Sequence, residues 1–130
     1  MTITELTFKT GFAPVLGPHR LAVLRDACRA DDPTLVQGQT TTPPPLMAVQ
    51  DMDCEAACAL GYCGWKGGDL RTVGEVEEFF SETCYRADRV LGEVAACRWF
   101  LEFWDDTPRL EAFATLARWI DDVLAATPAA

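Results

Sequence analysis

Three cysteines lie close together in the stretch DMDCEAACALGYCGW, which covers residues 51–65. They are Cys54, Cys58 and Cys63, half of the six cysteines in the chain. Cysteine thiolates bind zinc and iron–sulfur clusters or act as nucleophiles, whereas neutral cysteines behave as small hydrophobic side chains. The spacing C-x3-C-x4-C helps to decide among these chemistries.

The spacing argues against a metal site on a single helix. Each residue of an α-helix turns by about 100°, so Cys54 and Cys58 would lie about 40° apart and Cys63 about 180° from Cys54. A shared metal would require a helix break near Gly61. The pattern also differs from the C-x2-C pairs of zinc ribbons and from the closer steps of iron–sulfur proteins. We therefore predict reduced cysteines in the core of the protein and no cofactor.

A zinc or iron–sulfur protein is the alternative hypothesis. Its ligands would be Cys54, Cys58 and Cys63, with Cys84, or else Cys97, as the fourth. Disulfide bonds are the least favoured state, because we expect a cytoplasmic protein and that compartment keeps thiols reduced.

Residues for other catalytic chemistry are scarce. His19 is the only histidine and Ser81 the only serine, so no serine triad can be assembled. A Cys–His dyad would have to pair His19 with Cys28 or Cys54, and nothing in their spacing favours it. A ferritin-like di-iron site would lack its Glu-x-x-His ligands. We predict a protein without enzymatic activity, with a cysteine-dependent enzyme as the third hypothesis.

Acidic residues dominate the charge, and the formal net charge is −9. Such a chain is repelled by nucleic-acid backbones and anionic membranes, so we expect a protein partner with a basic surface. The function predicted is a non-catalytic protein-binding or inhibitor module, and its sharper form is a nucleic-acid mimic that occupies a basic groove. A purely solubilising role for the charge is the alternative. The predicted partner-binding residues are Glu75, Glu77, Glu78, Glu82, Asp105, Asp106, Asp121 and Asp122.

Two tryptophans stand next to these acids, in the stretches Trp104-Asp105-Asp106 and Trp119-Ile120-Asp121-Asp122. A tryptophan at such a position can anchor a partner protein. It can equally face the core and donate its indole N–H to a nearby carboxylate. We favour the core position, since tryptophan is mostly buried.

Length and composition predict one globular domain, and the helical periodicity along the chain predicts that it is mainly α. The chain has 130 residues, and its hydrophobic fraction of 49% is too high for a disordered protein. We expect a single domain over 1–130, built as a bundle of about five helices. Residues 1–50 form a less regular part with a Pro-rich loop at 38–45, and residues 51–126 form the helical core. Alternation over residues 3–9 predicts a short β element or extended arm near the N-terminus.

Capping and breaking residues set the expected helices. Helix one runs from Pro18 to Asp32-Pro33, and helix two from Asp51 or Asp53 to Gly61 and Gly64. The third begins with a capping box at Thr72-Val73-Gly74-Glu75 and stops at Gly92. The fourth covers 93–104 with an apolar stripe at Val94, Cys97, Leu101 and Trp104. The last runs from Thr107-Pro108 to Thr127-Pro128 with a stripe at Leu110, Phe113, Ala117, Ile120 and Leu124.

The origin and location of the protein are suggested only by composition. Arginine greatly outnumbers lysine and asparagine is absent, which is typical of GC-rich bacterial or phage genomes. The chain has no apolar run of membrane length, and its start, MTITELTFKTGF, does not resemble a signal peptide. A cytoplasmic protein is therefore expected.

Overall fold

Helices form most of the chain in the computed structural model, which describes residues 1–126. The mainly α architecture is confirmed. The α-helices are α1 (Ile3–Thr7), α2 (Ala13–Leu16), α3 (Pro18–Arg29), α4 (Ala59–Trp65), α5 (Val73–Leu91), α6 (Ala96–Trp99) and α7 (Arg109–Ala126). The remaining elements are π-helical turns at Phe8–Phe12 and Phe100–Trp104, a 3₁₀ turn at Met47–Val49, and strands β1 (Thr41–Thr42) and β2 (Ala56–Ala57).

The N-terminal segment is helical, so the strand or arm predicted for residues 3–9 is wrong. α1 passes through the first π turn directly into α2. The side chain of Thr2 caps α1 by accepting the N–H of Glu5 at 3.1 Å. Phe8 and Phe12, four residues apart, are both fully buried. This helical spacing outweighs the short alternation, because it carries two large rings into the core.

The cysteine stretch also differs from its prediction, because no helix begins at Asp51 or Asp53. The N–H of Cys54 donates to the carbonyl of Arg71 at 2.8 Å, and that of Glu55 to Thr42 at 2.7 Å. These bonds between distant segments keep the chain extended until β2 has ended. α4 then begins after Cys58, whose sulfur accepts the N–H of Gly61.

Gly61 and Gly64 lie inside α4 and do not end it. A Cβ at position 64 would lie 2.5 Å from the ring of Phe79, and one at position 61 would lie 3.1 Å from Val76. The two glycines therefore let α4 approach α5 closely.

α5 follows its prediction at both ends. Thr72 and Glu75 form the capping box, and Gly92 ends the helix in the left-handed conformation with φ 74°. Strand β1, which pairs antiparallel with β2 through Thr41–Ala57 and Thr42–Ala56, lies beside α5. α5, which has the clearest start and stop signals in the sequence, thus begins and ends at the predicted residues.

The predicted stripe of the fourth helix is wrong, since Val94, Cys97 and Leu101 are exposed. Trp104, the fourth member of the predicted stripe, is buried as expected, and Trp99 and Phe103 share the buried face with it. α6 and the second π turn are apolar on more than one side, and the larger aromatic rings occupy the core because they bury more area.

α7 packs largely as predicted. Phe113, Ala117 and Ile120 are buried, whereas Leu110 at its start is exposed. The expected end at Thr127-Pro128 lies outside the described residues.

Aromatic rings from the first and second π turns meet around Trp99. The ring centroid of Phe8 lies 5.9 Å from that of Trp99, and Phe12 lies 5.1 Å from it in an edge-to-face contact. Phe103 and Trp104 complete the cluster at 5.2 and 6.3 Å. The first helical segment is thereby part of the main core.

Arg109 is one of the residues that hold residues 30–37 against the helices. The guanidinium of Arg109 donates to the carbonyls of Asp32 and Leu35, both at 2.7 Å, and pairs with Asp31 at 2.8 Å. It also lies 4.2 Å from the ring centroid of Phe113. The segment between α3 and β1 thus packs on the bundle.

Candidate functional site

The six cysteines are all free thiols, and most are inaccessible. Cys97 is exposed, Cys84 is half-buried, and Cys28, Cys54, Cys58 and Cys63 are buried. Burial raises the pKa of Cys28, Cys58 and Cys84 to about 12. These thiols are therefore neutral near pH 7, the state in which cysteine packs as a small hydrophobic side chain.

The proposed metal ligands belong to different local environments. Cys54 lies before β2 and its thiol donates to the carbonyl of Ala56 at 3.2 Å. Cys63 lies within α4 and donates to Ala59 at 3.3 Å. Within residues 1–126, no three His, Cys, Asp or Glu side chains are grouped so that they could hold a metal ion.

Alkylation of the native protein should separate these thiols. Iodoacetamide near neutral pH should modify Cys97 quickly and the buried cysteines slowly, because only a solvated thiolate reacts. Mass spectrometry should find one rapid modification in the native protein and six after denaturation. Rapid modification of Cys28 or Cys54 instead would favour a nucleophilic cysteine.

The lone histidine is not close to its nearest candidate partner along the chain. His19 lies at the start of α3 and Cys28 near its end. Nine residues at 1.5 Å each separate them by about 13 Å along the helix axis, too far for direct proton transfer.

Asp121 and Asp122, on α7, bind cations of the same chain. Asp121 pairs with Arg25 at 3.3 Å and with Arg29, while Asp122 pairs with Lys9 at 2.9 Å. These bonds tie α7 to α3 and to the N-terminal helix. Both acids therefore form ion pairs that connect helices of this chain.

Three more predicted acids accept hydrogen bonds from this chain. Asp105 accepts the N–H of Gly38 at 2.7 Å. Glu77 accepts the hydroxyl of Thr41 at 3.1 Å, and Glu75 belongs to the capping box. Backbone N–H donation from Thr72 lowers the pKa of Glu75, which therefore stays ionised at neutral pH.

Glu78, Glu82 and Asp106 are exposed. Glu78 and Glu82 follow one face of α5 at i,i+4 spacing, and Asp106 lies apart, after the second π turn. The two glutamates line a surface concavity of about 410 Å³ that we call the acidic groove. Its lining residues are Leu70, Glu75, Glu78, Phe79 and Glu82.

The two tryptophans beside the acids are buried, which confirms the core position. Trp104 donates its indole N–H to the carbonyl of Val36 at 3.0 Å, and not to a carboxylate as expected. Trp119 is buried and lies 4.7 Å from Phe103, measured between ring centroids.

A second concavity was not predicted from the sequence. It has a volume of about 560 Å³ and lies between α5, the α6 segment and residues 38–40. We call it the apolar cavity, and its side chains include Cys58, Phe80, Cys84, Cys97, Phe100 and Leu101. The four-residue steps from Phe80 to Cys84 and from Cys97 to Leu101 each place two lining residues on one helix face. That these faces meet beside residues 38–40 could not be predicted, because the segments are distant in the chain.

Comparisons with known proteins identified no related protein. No protein-family model matches the sequence, and searches of curated proteins and of solved structures found no significant match. In the part of the chain that the structure describes, no helix has the length and apolar character needed to cross a membrane.

Proposed function

We propose that the protein is a non-catalytic binding module that recognises a basic segment of another protein through the acidic groove. The observation that carries this proposal is the grouping of Glu75, Glu78 and Glu82 around Leu70 and Phe79. The groove thus combines an apolar surface with carboxylates, and among the residues that the structure describes no basic one lines it. A segment in which arginine or lysine alternates with large apolar side chains complements this surface.

The two apolar residues of the groove, Phe79 and Leu70, are both held by contacts with other parts of the protein. The Arg20 guanidinium lies 5.2 Å from the centroid of the Phe79 ring, a distance suited to a cation–π contact. Leu70 packs against the main core beside it. A partner's apolar side chain would meet a surface that needs little rearrangement, which limits the entropy lost on binding.

Charge supports the same choice of partner. The net charge of −9 favours encounter with basic proteins and discourages acidic ones. Further along the outer side of α5, however, Arg86 and Arg89 line a separate concavity with Pro14. This change of sign supports recognition of a short basic segment better than mimicry of a long nucleic-acid backbone.

A double substitution in the groove tests the proposal. Glu78→Gln with Glu82→Gln should weaken binding of a labelled peptide of alternating arginine and leucine by about tenfold, since each exposed ion pair contributes modestly. Fluorescence anisotropy measures the affinity at several salt concentrations, and added salt should weaken binding to the unmodified protein.

The matched control removes the same charge elsewhere. Glu102 and Glu111 are exposed and lie outside the groove, so Glu102→Gln with Glu111→Gln should change the affinity little. Equal losses in the two double variants would show a general charge effect and would contradict the groove. Equal affinity for a peptide with glutamine in place of arginine would contradict recognition of basic residues.

A further inference from the structure

The apolar cavity lies on the opposite side of α5 from the acidic groove. Glu78 lines the groove and Phe80 lines the cavity, and two residues turn an α-helix by about 200°. The cavity volume of about 560 Å³ falls in the range of roughly 300–1,000 Å³ that holds small molecules in proteins. Cys97 and Leu101, both exposed, lie at its opening.

Most of the cavity wall is apolar. The rings of Phe80 and Phe100 meet edge to face, with centroids 5.4 Å apart. Cys58 and Cys84 add sulfur atoms, and burial, which raises the pKa of both thiols to about 12, keeps them neutral. An apolar body of a ligand would therefore contact aromatic rings and polarisable sulfur.

Two carboxylates, those of Asp88 and Asp105, interrupt this wall, and one oxygen of each accepts backbone N–H groups. Oδ1 of Asp88 accepts the N–H groups of Ala95 and Ala96 at 2.9 and 2.8 Å. Oδ1 of Asp105 accepts the N–H of Gly38 at 2.7 Å. Across residues 1–126, neither Oδ2 accepts a hydrogen bond, and no lysine, arginine or histidine lines the cavity. Each acid is thus oriented while one of its oxygens stays available.

We propose that the apolar cavity binds a small amphiphilic amine, with its apolar body against Phe80 and Phe100 and its ammonium group at Asp88 and Asp105. Each Oδ2 can accept an N–H of the ammonium in a charge-assisted hydrogen bond. The faces of the phenylalanine rings also attract a cation. Carboxylate ligands would be repelled by the same two acids, and neutral alcohols would gain neither attraction.

Three matched probes test the charge preference: octylammonium, octanol and octanoate, each added to the full chain below its aggregation concentration. Isothermal titration calorimetry should show one octylammonium per chain, bound about tenfold more tightly than octanol, with octanoate the weakest. Octylammonium should also slow the alkylation of Cys97 by iodoacetamide, because that thiol lies at the opening. Equal affinity for the three probes, or no binding of octylammonium, would overturn the proposal.

Two variants locate the site. Asp88→Asn with Asp105→Asn keeps an oxygen for each backbone N–H but removes the charge, so octylammonium should bind no better than octanol. Ser81→Trp places a large ring at an exposed lining position and should abolish binding of all three probes while leaving the thermal unfolding midpoint nearly unchanged. Octylammonium binding that survives both variants would place the amine elsewhere and would refute the assignment.

Discussion

Replacing Trp99 with Ala should lower the free energy of unfolding by about 3–5 kcal/mol. Trp99 is among the largest fully buried side chains, and its ring contacts both the N-terminal helix and the second π turn. Removing it leaves a cavity between the N-terminal segment and the second π turn, and these segments cannot both move inward to fill it. Because domains of this size are stable by about 5–15 kcal/mol, the loss should be visible as a large shift in denaturant unfolding.

Two further variants show whether the ring itself carries the effect. Within residues 1–126 the indole N–H of Trp99 has no hydrogen-bond acceptor, so Trp99→Phe should cost clearly less than Trp99→Ala. Leu101→Ala, two residues away and mostly exposed, should change stability little. A cost for Trp99→Ala as small as that for Leu101→Ala would contradict the aromatic core described above.

Replacing Phe12 with Ala should be destabilising by a similar amount, about 3–5 kcal/mol. The side chain is fully buried, with its ring 5.1 Å from Trp99 and 6.5 Å from Phe100 between centroids. The expectation distinguishes the helical N-terminal segment from an extended arm, in which the same change would be nearly neutral.

Leu6→Ala is the matched control for this variant. Leu6 lies in the same helical segment but is 48% exposed, so its removal should cost little. Thermal and denaturant unfolding of both variants gives the comparison. Equal and small losses in Phe12→Ala and Leu6→Ala would show that the segment does not contribute to the core.

Local rules predicted the elements whose signals agree with one another. Thr72 and Glu75 lie three residues apart and cap α5, and Gly92 ends it in a conformation that costs glycine little. In the last helix, Phe113 and Ile120 repeat at a helical interval and are buried. These features depend on neighbours within a few residues, so sequence alone can specify them.

The candidate sites were predictable only in part. The i,i+4 spacing of Glu78 and Glu82 placed them on one face, but Leu70 and Phe79 beside them emerged only with the packing of the loop before α5. The apolar cavity joins residues 38–40, Cys58, residues 80–88 and residues 96–105. No local pattern reports such a meeting, because it depends on how four segments are placed in space.

The sequence by itself determined the helical class, the boundaries of α5, and the burial of four of the six cysteines and of Trp104 and Trp119. Amphipathic periodicity, caps and side-chain hydrophobicity are local properties. Tertiary structure decided the rest. Cys54 lies in extended chain because its N–H binds the carbonyl of Arg71, and Asp122 lies beside Lys9, 113 positions away in the chain. Partners so distant in sequence are chosen by the packing of the whole molecule, and that packing also created the acidic groove and the apolar cavity.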